Sequence, residues 1–178
     1  MSDPSQPTPR VRRPPHRPAF DPHTQPWVAS SLAFDAVPHE HLSIEAVRSV
    51  LSAKIQRPLA VPDESDRRHP GREGPLVEAA VLVPIVMRPE GLTVLLTQRT
   101  AHLNDHAGQI SFPGGKIETT DADAIAAALR ETEEETGLSR KFVQVLGGLP
   151  RYLTATGFAI NPVTALVEPG FSLNPDSF

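Results

Sequence analysis

The sequence predicts an α+β fold in which a mixed β-sheet carries one well-formed helix. Residues 76–87 and 92–98 are dense in Val, Leu and Ile, and the turn sequence Arg-Pro-Glu-Gly joins them, which indicates a β-hairpin. Residues 122–136 are rich in alanine and contain no Gly or Pro, as expected of a helix. Two further apolar runs, 143–149 and 160–167, are predicted strands. Strands on both sides of one helix, without regular βαβ alternation, favour a mixed sheet.

The chain is predicted to have three segments. The first 30 residues are rich in proline and poor in apolar side chains, so they are expected to form a disordered, Pro/Arg-rich tail. Residues 31–75 are predicted to hold a helix within the range Leu42 to Gln56, with Ser43 as its start signal. A proline-rich linker follows the helix. Residues 76–178 carry the sheet and the long helix.

Composition excludes several classes of function. The formal net charge is -4, which argues against a polycation that binds nucleic acid. The absence of cysteine excludes disulfides, zinc-thiolate sites and thiol nucleophiles. No apolar run has the length of a membrane span, and none at the N-terminus resembles a signal peptide. We therefore expect a cytoplasmic protein without membrane or nucleic-acid partners. The sequence indicates nothing about its oligomeric state.

Three glutamates in the long helix predict a metal site. Glu131, Glu134 and Glu135 stand at i, i+3 and i+4, so they share one stripe of the helix. Carboxylates on neighbouring turns repel one another, and a bound Mg²⁺ or Mn²⁺ would turn that repulsion into attraction. A solvated acidic face is the alternative interpretation. The glycine-rich sequence before the helix and the Gly-Leu after it favour a site.

The rest of the same helix is expected to pack on the sheet. Ala124 and Ala127 lie on the glutamate side, where their small side chains would leave room for a ligand, whereas Glu133 falls near the far side. Asp121 or Thr120 is the predicted N-terminal cap. The predicted packing stripe consists of Ile125, Ala128, Leu129, Thr132 and Thr136, and the helix is expected to stop at Gly137.

A glycine turn, Phe112 to Gly115, precedes the helix. It is not a P-loop, because Ile110 stands where that motif needs glycine and Ile117 follows the lysine where it needs Ser or Thr. A plain turn is one interpretation. The other is that the turn directs backbone N–H groups and the start of the helix at the glutamates.

The run from Arg130 to Leu138 resembles the second half of the Nudix hydrolase box. That half reads Arg-Glu, an apolar residue, any residue, Glu-Glu, any residue, Gly and an apolar residue, and Thr132 takes the first apolar slot here. The first half departs from the box. Where the box has five residues and then Glu after its glycine, this chain has five residues and then Asp121 after Gly115, and eight residues instead of seven then precede Arg130.

An upstream run is similar to the motif of the coenzyme A pyrophosphatase branch of that family. The motif reads Leu-Leu-Thr-x-Arg-Ser/Ala, three residues, Arg, three residues, Gly, three residues, Phe-Pro-Gly-Gly, and residues 95–115 keep its spacing throughout. Two positions differ. Thr100 stands for Ser or Ala, and Asn104 stands for Arg, which removes one potential phosphate contact.

This resemblance implies a Nudix fold and metal-dependent hydrolysis of the pyrophosphate in coenzyme A or acyl-coenzyme A, giving 3',5'-ADP and 4'-phosphopantetheine or its acyl derivative. Another nucleoside diphosphate derivative, such as ADP-ribose, a nucleotide sugar or an oxidised dNTP, is an alternative substrate. A catalytically inactive, ligand-sensing module is a further alternative. The implied cofactor is Mg²⁺ or Mn²⁺.

The resemblance also assigns roles to residues of this chain. Glu131, Glu134 and Glu135 are the implied metal ligands, and one of them is the implied general base. Arg130 is included in the catalytic group, and we expect it to hold the preceding loop on the helix by pairing with Asp121 or Glu118. The implied contacts to the substrate's phosphates are Arg99, Gly114, Gly115 and Lys116.

Nudix domains normally continue beyond the position of Val167 with more sheet and a second covering helix. We therefore expect that the C-terminal part of the domain is missing from this chain, and that one face of the sheet is left uncovered.

Overall fold

The computed structural model describes residues 36–53, 68, 71, 74–98 and 109–174. Contacts divide the chain into two units, Met1–Ala33 with Gln98–Gln109 and Phe34–Thr97 with Ile110–Phe178. All described residues except Gln98 and Gln109 belong to the second unit. The predicted tail lies outside the described residues, and so does most of the predicted linker.

The described elements follow one another in an irregular order of helices and strands. The two helices are α1 (Ile44–Ser52) and α2 (Ala124–Thr136). The strands are β1 (Val77–Arg88), β2 (Gly91–Val94), β3 (Thr97–Gln98), β4 (Ile110–Ser111), β5 (Gly114–Lys116), β6 (Val143–Gly148), β7 (Tyr152–Leu153) and β8 (Phe158–Val167). Short 3-10 turns at His39–Leu42 and Arg140–Phe142 precede α1 and β6. Neither described helix has the length and apolar character that a membrane span needs.

Strand β1 lies in the middle of a six-stranded mixed sheet. It runs parallel to β8 over its first ten residues, from the pair Val77–Phe158 to the pair Val86–Val167. On its other edge β1 pairs antiparallel with β5 and then with β2. Strands β6 and β7 both pair antiparallel with β8. The sheet is therefore mixed, with a helix packed on it, and the predicted α+β class is confirmed.

The predicted second strand, 92–98, is broken in the structure. Strand β2 ends at Val94 and β3 begins at Thr97, where the chain leaves β1 to pair with β4. The backbone N–H of Leu95 still donates to the carbonyl of Pro84 in β1, at 3.1 Å. Because Pro84 has no N–H to donate in return, the ladder between these strands weakens at this point.

The main hydrophobic core lies between α2 and one face of the sheet. Its fully or almost fully buried members come from β1, β8 and α2, and are Ala80, Leu82, Val163, Ala165, Ala127 and Ala128. Alanines on both sides allow the helix to approach the strands closely. A second cluster, formed by Val86, Leu138 and Val167 with Phe142 and Phe171 against it, closes the C-terminal end of α2.

Helix α1 begins where the sequence predicted. The Ser43 hydroxyl oxygen accepts a hydrogen bond from the backbone N–H of Ala46 at 3.1 Å, which caps the helix. The helix ends at Ser52, before the predicted end at Gln56, which lies outside the described residues. Arg48 donates to the side-chain oxygen of Gln144 in β6 at 2.7 Å, so α1 is tied to the sheet by a polar contact.

The N-terminal cap of α2 differs from the prediction. Asp123 is the cap, and its side chain accepts from the backbone N–H of Ala126 at 2.8 Å. Asp121 lies two residues before this cap, and its two carboxylate oxygens accept from Arg130. The predicted end is confirmed: Gly137 has a φ of 73°, the left-handed conformation that closes a helix.

The packing face of α2 is also rotated from the predicted stripe. Ala128, Thr132 and Thr136 are buried as expected, but Ile125 is 39% exposed. Ala127, which we expected to leave room beside the glutamates, is completely buried in the core. The reason is steric, since the small Ala127 fits against Ala80 where a branched side chain such as isoleucine would hold the helix away.

The glycine turn was predicted as a turn alone, and this is wrong for its second half. Gly114–Lys116 forms β5, in which Gly115 is paired with Ala80 of β1. Just before it, the carbonyl of Pro113 accepts from the backbone N–H of Leu82 at 2.9 Å. The two glycines are thereby fixed to the central strand of the sheet.

Candidate metal centre

Two of the three predicted glutamates lie against the glycine strand β5. A Cβ atom placed on Gly115 would be 2.4 Å from the carboxylate carbon of Glu131, so this carboxylate lies directly over the glycine backbone. The backbone N–H of Gly114 donates to Oε2 of Glu135 at 3.2 Å. The structure thus brings together Glu131, Glu135, Gly114 and Gly115. A side chain at position 115 would take the space of a carboxylate.

Gly114 is constrained by the sheet. Its φ is 155°, and a Cβ atom there would lie 2.3 Å from the carbonyl oxygen of Ala80 and 2.6 Å from the Cα atom of Val81. Both are backbone atoms of β1 and cannot move without disturbing the central strand. Only glycine lets the chain approach β1 this closely and still present its N–H to Glu135.

Arg130 ties the loop before α2 to the helix. Its Nε and Nη2 atoms donate to the two carboxylate oxygens of Asp121 at 3.0 and 2.9 Å, a bidentate pair. Nη2 also donates to the carbonyl of Lys116 at 3.2 Å. The predicted pairing with Asp121 is present. Glu118 contributes its backbone N–H to Asp121, at 2.8 Å, in place of the carboxylate that we considered as a partner of Arg130.

The electrostatics of this pair favour both charges. The hydrogen bond from Arg130 is the main cause that lowers the pKa of Asp121 below its ordinary value, and the backbone N–H of Glu118 adds to it. The hydrogen bond to Asp121, and after it the contacts with Glu131, raise the pKa of the Arg130 guanidinium above its ordinary value. The Asp121 side chain is only 5% exposed, against 22% for Arg130. Both groups are therefore ionised at neutral pH.

The third N–H-bearing atom of Arg130 bonds to two of the glutamates. Nη1 donates to Oε1 of Glu131 at 2.9 Å and to Oε2 of Glu134 at 3.0 Å. Glu131 and Glu134 are thus turned towards the guanidinium, while Glu135 is turned towards Gly114. Within the described part of the chain, no three acidic or histidine side chains are grouped closely enough to hold one metal ion.

The donor set nevertheless fits a hard divalent cation. Three carboxylates leave α2 within two helical turns, and two of them share one cationic partner, Nη1 of Arg130. Carboxylate oxygens are the protein ligands that Mg²⁺ and Mn²⁺ prefer. Because Gly115 has no Cβ atom, the Glu131 carboxylate has room to lie beside the backbone of β5.

The remaining predicted site residues are placed less directly. Lys116 lies at the end of β5 with an exposed side chain. Because side chains alternate along a strand and Gly115 faces Glu131, the Lys116 side chain starts from the opposite face of the sheet. Its carbonyl, bonded to Arg130, belongs to the site instead. Arg99 lies outside the described residues, as does Asn104.

Glu133 is separate from the other glutamates of α2, as the sequence predicted. It forms an exposed ion pair with Arg140, with 3.1 Å between Oε2 and Nε. One contact near the site escaped the sequence interpretation: the backbone N–H of Asn174 donates to the carbonyl of Thr136 at 2.8 Å and so caps the last turn of α2. No sequence pattern predicts this hydrogen bond, because Asn174 comes close to the end of α2 only in the folded chain.

Comparison with known proteins agrees with this fold. Residues 77–175 match the NUDIX domain family, and the chain belongs to that family. It is 54% identical over 93 residues to the uncharacterized Nudix hydrolase NudL of Escherichia coli, an alignment that covers 52% of this chain and 47% of that protein. NudL of Salmonella paratyphi B is 52% identical over the same length. The chain spans about half the length of the curated relatives it matches.

Solved structures of the same kind resemble the chain at lower identity. A C. elegans Ap4A hydrolase in a binary complex has a TM-score of 0.48 and 20% identity, covering 56% of this chain and 72% of that one. A Nudix hydrolase from M. smegmatis, RenU, has a TM-score of 0.47 and 21% identity, covering 57% and 65%.

Proposed function

We propose that this chain belongs to a hydrolase that cleaves the phosphoanhydride bond of a nucleoside diphosphate derivative with the help of Mg²⁺ or Mn²⁺. The observation that carries the proposal is the contact between the glutamates of α2 and the glycines of β5. Glu131 lies over Gly115 and Glu135 accepts from the N–H of Gly114. The carboxylate oxygens that would bind a metal thus lie directly against a glycine backbone, where no side chain stands between them and a diphosphate.

Each residue has a distinct task in this proposal. Glu131, Glu134 and Glu135 hold the divalent cation, which supplies neutralisation of the charge that develops on the diphosphate. One of these carboxylates accepts the proton of the attacking water. Asp121 and Arg130 hold the loop that connects β5 to α2, so that the glycines of β5 stay next to the carboxylates of α2. Arg99 is a proposed contact to phosphate oxygens. Lys116, which the sequence also suggested, is left out of the proposed site because its side chain starts from the opposite face of the sheet.

For the substrate we propose coenzyme A or acyl-coenzyme A. The support is the sequence run from Leu95 to Gly115, which keeps the spacing of the coenzyme A pyrophosphatase motif. Part of that run leads into the site, since it ends in the two glycines that contact Glu131 and Glu135. Water then attacks one phosphorus of the pyrophosphate and the other phosphate leaves, giving 3',5'-ADP and 4'-phosphopantetheine or its acyl derivative.

A substrate panel tests both levels of the proposal. The chain is incubated with Mn²⁺ or Mg²⁺ and with coenzyme A, acyl-coenzyme A, ADP-ribose, a nucleotide sugar and oxidised dNTPs, and the products are separated by ion-exchange chromatography. Preferred release of 3',5'-ADP supports the coenzyme A assignment. Turnover of the other nucleotides alone would leave a Nudix hydrolase with a different substrate. If the folded protein binds nucleotides and metal without turnover, the ligand-sensing alternative holds.

Glu134→Gln tests the metal ligands. It removes one charge and one candidate ligand at a half-exposed position, so we expect kcat with Mn²⁺ to fall by roughly a hundredfold or more while the melting curve stays the same. The matched control is Glu133→Gln, one residue away on the same helix and paired with Arg140 outside the cluster. We expect it to change kcat by less than about twofold. Equal losses in both variants would remove Glu134 from the site.

A further inference from the structure

Arg130 occupies an unusual electrostatic position among the glutamates of α2. Its Nη1 atom donates to Glu131 at 2.9 Å and to Glu134 at 3.0 Å, and it is the cation that joins these two carboxylates in the structure. Its other two nitrogens, Nε and Nη2, are committed to Asp121. The Nε and Nη2 side of the guanidinium therefore contacts the loop before α2, and its Nη1 atom contacts two of the proposed metal ligands.

We propose that Arg130 is an internal competitor of the metal ion. Its Nη1 atom holds the oxygens of Glu131 and Glu134 in the metal-free protein and releases them when a divalent cation binds, while Nε and Nη2 remain on Asp121. This inference rests on the proposed function, since it assumes that the glutamates take a divalent cation. It assigns to Arg130 a role in setting metal affinity, in addition to holding the loop.

The two halves of the guanidinium differ in how tightly they are held. Asp121 is 5% exposed and receives two parallel hydrogen bonds from Arg130 as well as one from the N–H of Glu118. Glu134 is 48% exposed and has a single bond of 3.0 Å to Nη1. A half-exposed carboxylate exchanges its partner at low cost, because water can solvate it during the exchange. Release from Nη1 without loss of the Asp121 pair is therefore the expected path.

Charge balance gives the same result. Without metal, the carboxylates of Glu131, Glu134 and Glu135 repel one another, and the fixed positive charge of Arg130 reduces that repulsion. When a divalent cation enters, the same positive charge opposes it. Asp121 moderates this opposition, because its carboxylate balances the charge of Arg130 from the other side of the guanidinium.

Two substitutions should consequently have opposite effects on metal binding. Arg130→Gln removes the competitor and should tighten Mn²⁺ binding about fivefold, the size expected for two partly exposed ion pairs. Asp121→Asn leaves the Arg130 charge without its main counterion and should weaken Mn²⁺ binding about threefold. A purely structural role for the Arg130–Asp121 pair predicts weaker binding in both variants, since either change loosens the loop.

The experiment is a Mn²⁺ titration of the full chain, in which free Mn²⁺ is followed by its electron paramagnetic resonance signal. Arg140→Gln is the matched control: it removes one positive charge next to the same helix, from the exposed pair with Glu133, and should leave Mn²⁺ affinity within about twofold. If Arg130→Gln melts below the working temperature, Arg130→Lys replaces it. Lysine cannot span Asp121 and both glutamates, so binding should still tighten, by about twofold.

Tighter binding in Arg130→Gln with weaker binding in Asp121→Asn supports the competitor role. Weaker or unchanged binding in Arg130→Gln overturns it, and so does equal tightening in Arg140→Gln, which would reflect net charge alone. A wild-type chain that binds no Mn²⁺ while its melting curve is cooperative overturns the metal-binding proposal itself. That result is distinct from every outcome that concerns the variants.

Discussion

The two glycines at either end of the α2 region, Gly115 and Gly137, are required for different physical reasons. The backbone of Gly115 has no positive φ, so its conformation suits any residue, but a Cβ atom there would meet the carboxylate of Glu131 at 2.4 Å. Gly137 has a φ of 73°, and a Cβ atom would lie 2.8 Å from the backbone nitrogen of Asn174. The first glycine makes space for a functional group, and the second sets the path of the chain.

This comparison shows that the same residue type in one motif can serve the site or the fold. A glycine that makes space is expected to affect activity, because the group it accommodates is a movable side chain. A glycine that sets a chain path is expected to affect stability, because its neighbours are backbone atoms. Substitution by alanine separates the two cases, since it adds one methyl group and little else.

The largest effect is expected for Gly114→Ala. This variant tests whether two adjacent glycines can differ in the same way, one being needed for stability and the other for activity. Gly114 adjoins Gly115, yet its neighbours are the backbone of Ala80 and Val81, at 2.3 and 2.6 Å from an added Cβ. We expect the free energy of unfolding to fall by roughly 3 kcal/mol or more. Urea denaturation followed by circular dichroism measures it. A loss below about 1 kcal/mol would mean that β5 can move away from β1 at little cost.

Gly115→Ala is expected to have the next largest effect, on activity instead of stability. The added methyl displaces the Glu131 carboxylate, and a misplacement of this size lowers kcat by about a hundredfold. Because the carboxylate is the end of a flexible side chain, we expect the unfolding free energy to change by less than about 1 kcal/mol. Nucleotide turnover with Mn²⁺ and urea denaturation of the same sample separate the two. A stability loss equal to that of Gly114→Ala would contradict this assignment.

Gly137→Ala is expected to have the smallest effect. Alanine in the left-handed conformation costs about 1–2 kcal/mol, and some of that cost falls on the contact with Asn174. The proposed metal ligands lie two to six residues earlier in α2, and the added methyl meets Asn174 and not their carboxylates, so kcat of the folded protein should stay within about twofold of the wild type. Thermal melting and single-temperature kinetics test both statements. Lower kcat with an unchanged melting curve would show that Gly137 acts on the site.

The sequence predicted correctly those structural features that depend on residues close together in the chain. The extent of β1, the existence of α2 and its end at Gly137 all follow from runs of neighbouring residues, and the structure confirms them. The cap at Asp123 was not predicted, because the helix was expected to begin at residue 122, which placed Asp123 inside it. Asp121 was predicted both as a cap and as a partner of Arg130, and the structure confirms only the second of these roles.

Features that depend on the fold were missed. The strand Gly114–Lys116 carries no alternation of apolar and polar side chains, so no pattern announces its pairing with β1. The rotation of α2 was missed because periodicity favours the most hydrophobic stripe, whereas close packing on Ala80 favours Ala127 over Ile125. The orientation of the Glu131 and Glu134 side chains towards Arg130 depends on rotamers, which sequence spacing leaves open.

The parallel pairing of β1 with β8 has a consequence for the order in which the protein folds. The two strands at the middle of the sheet are separated in the chain by α2 and by all the other strands of the sheet. During synthesis β8 leaves the ribosome on the order of ten seconds after β1, since residues are added at about 5–20 per second. In that interval β1 has already met β5 and α2 but exposes its other edge. The nascent chain thus passes through a state in which the acidic helix is complete while half of the central strand's hydrogen-bonding groups are still open to a wrong partner.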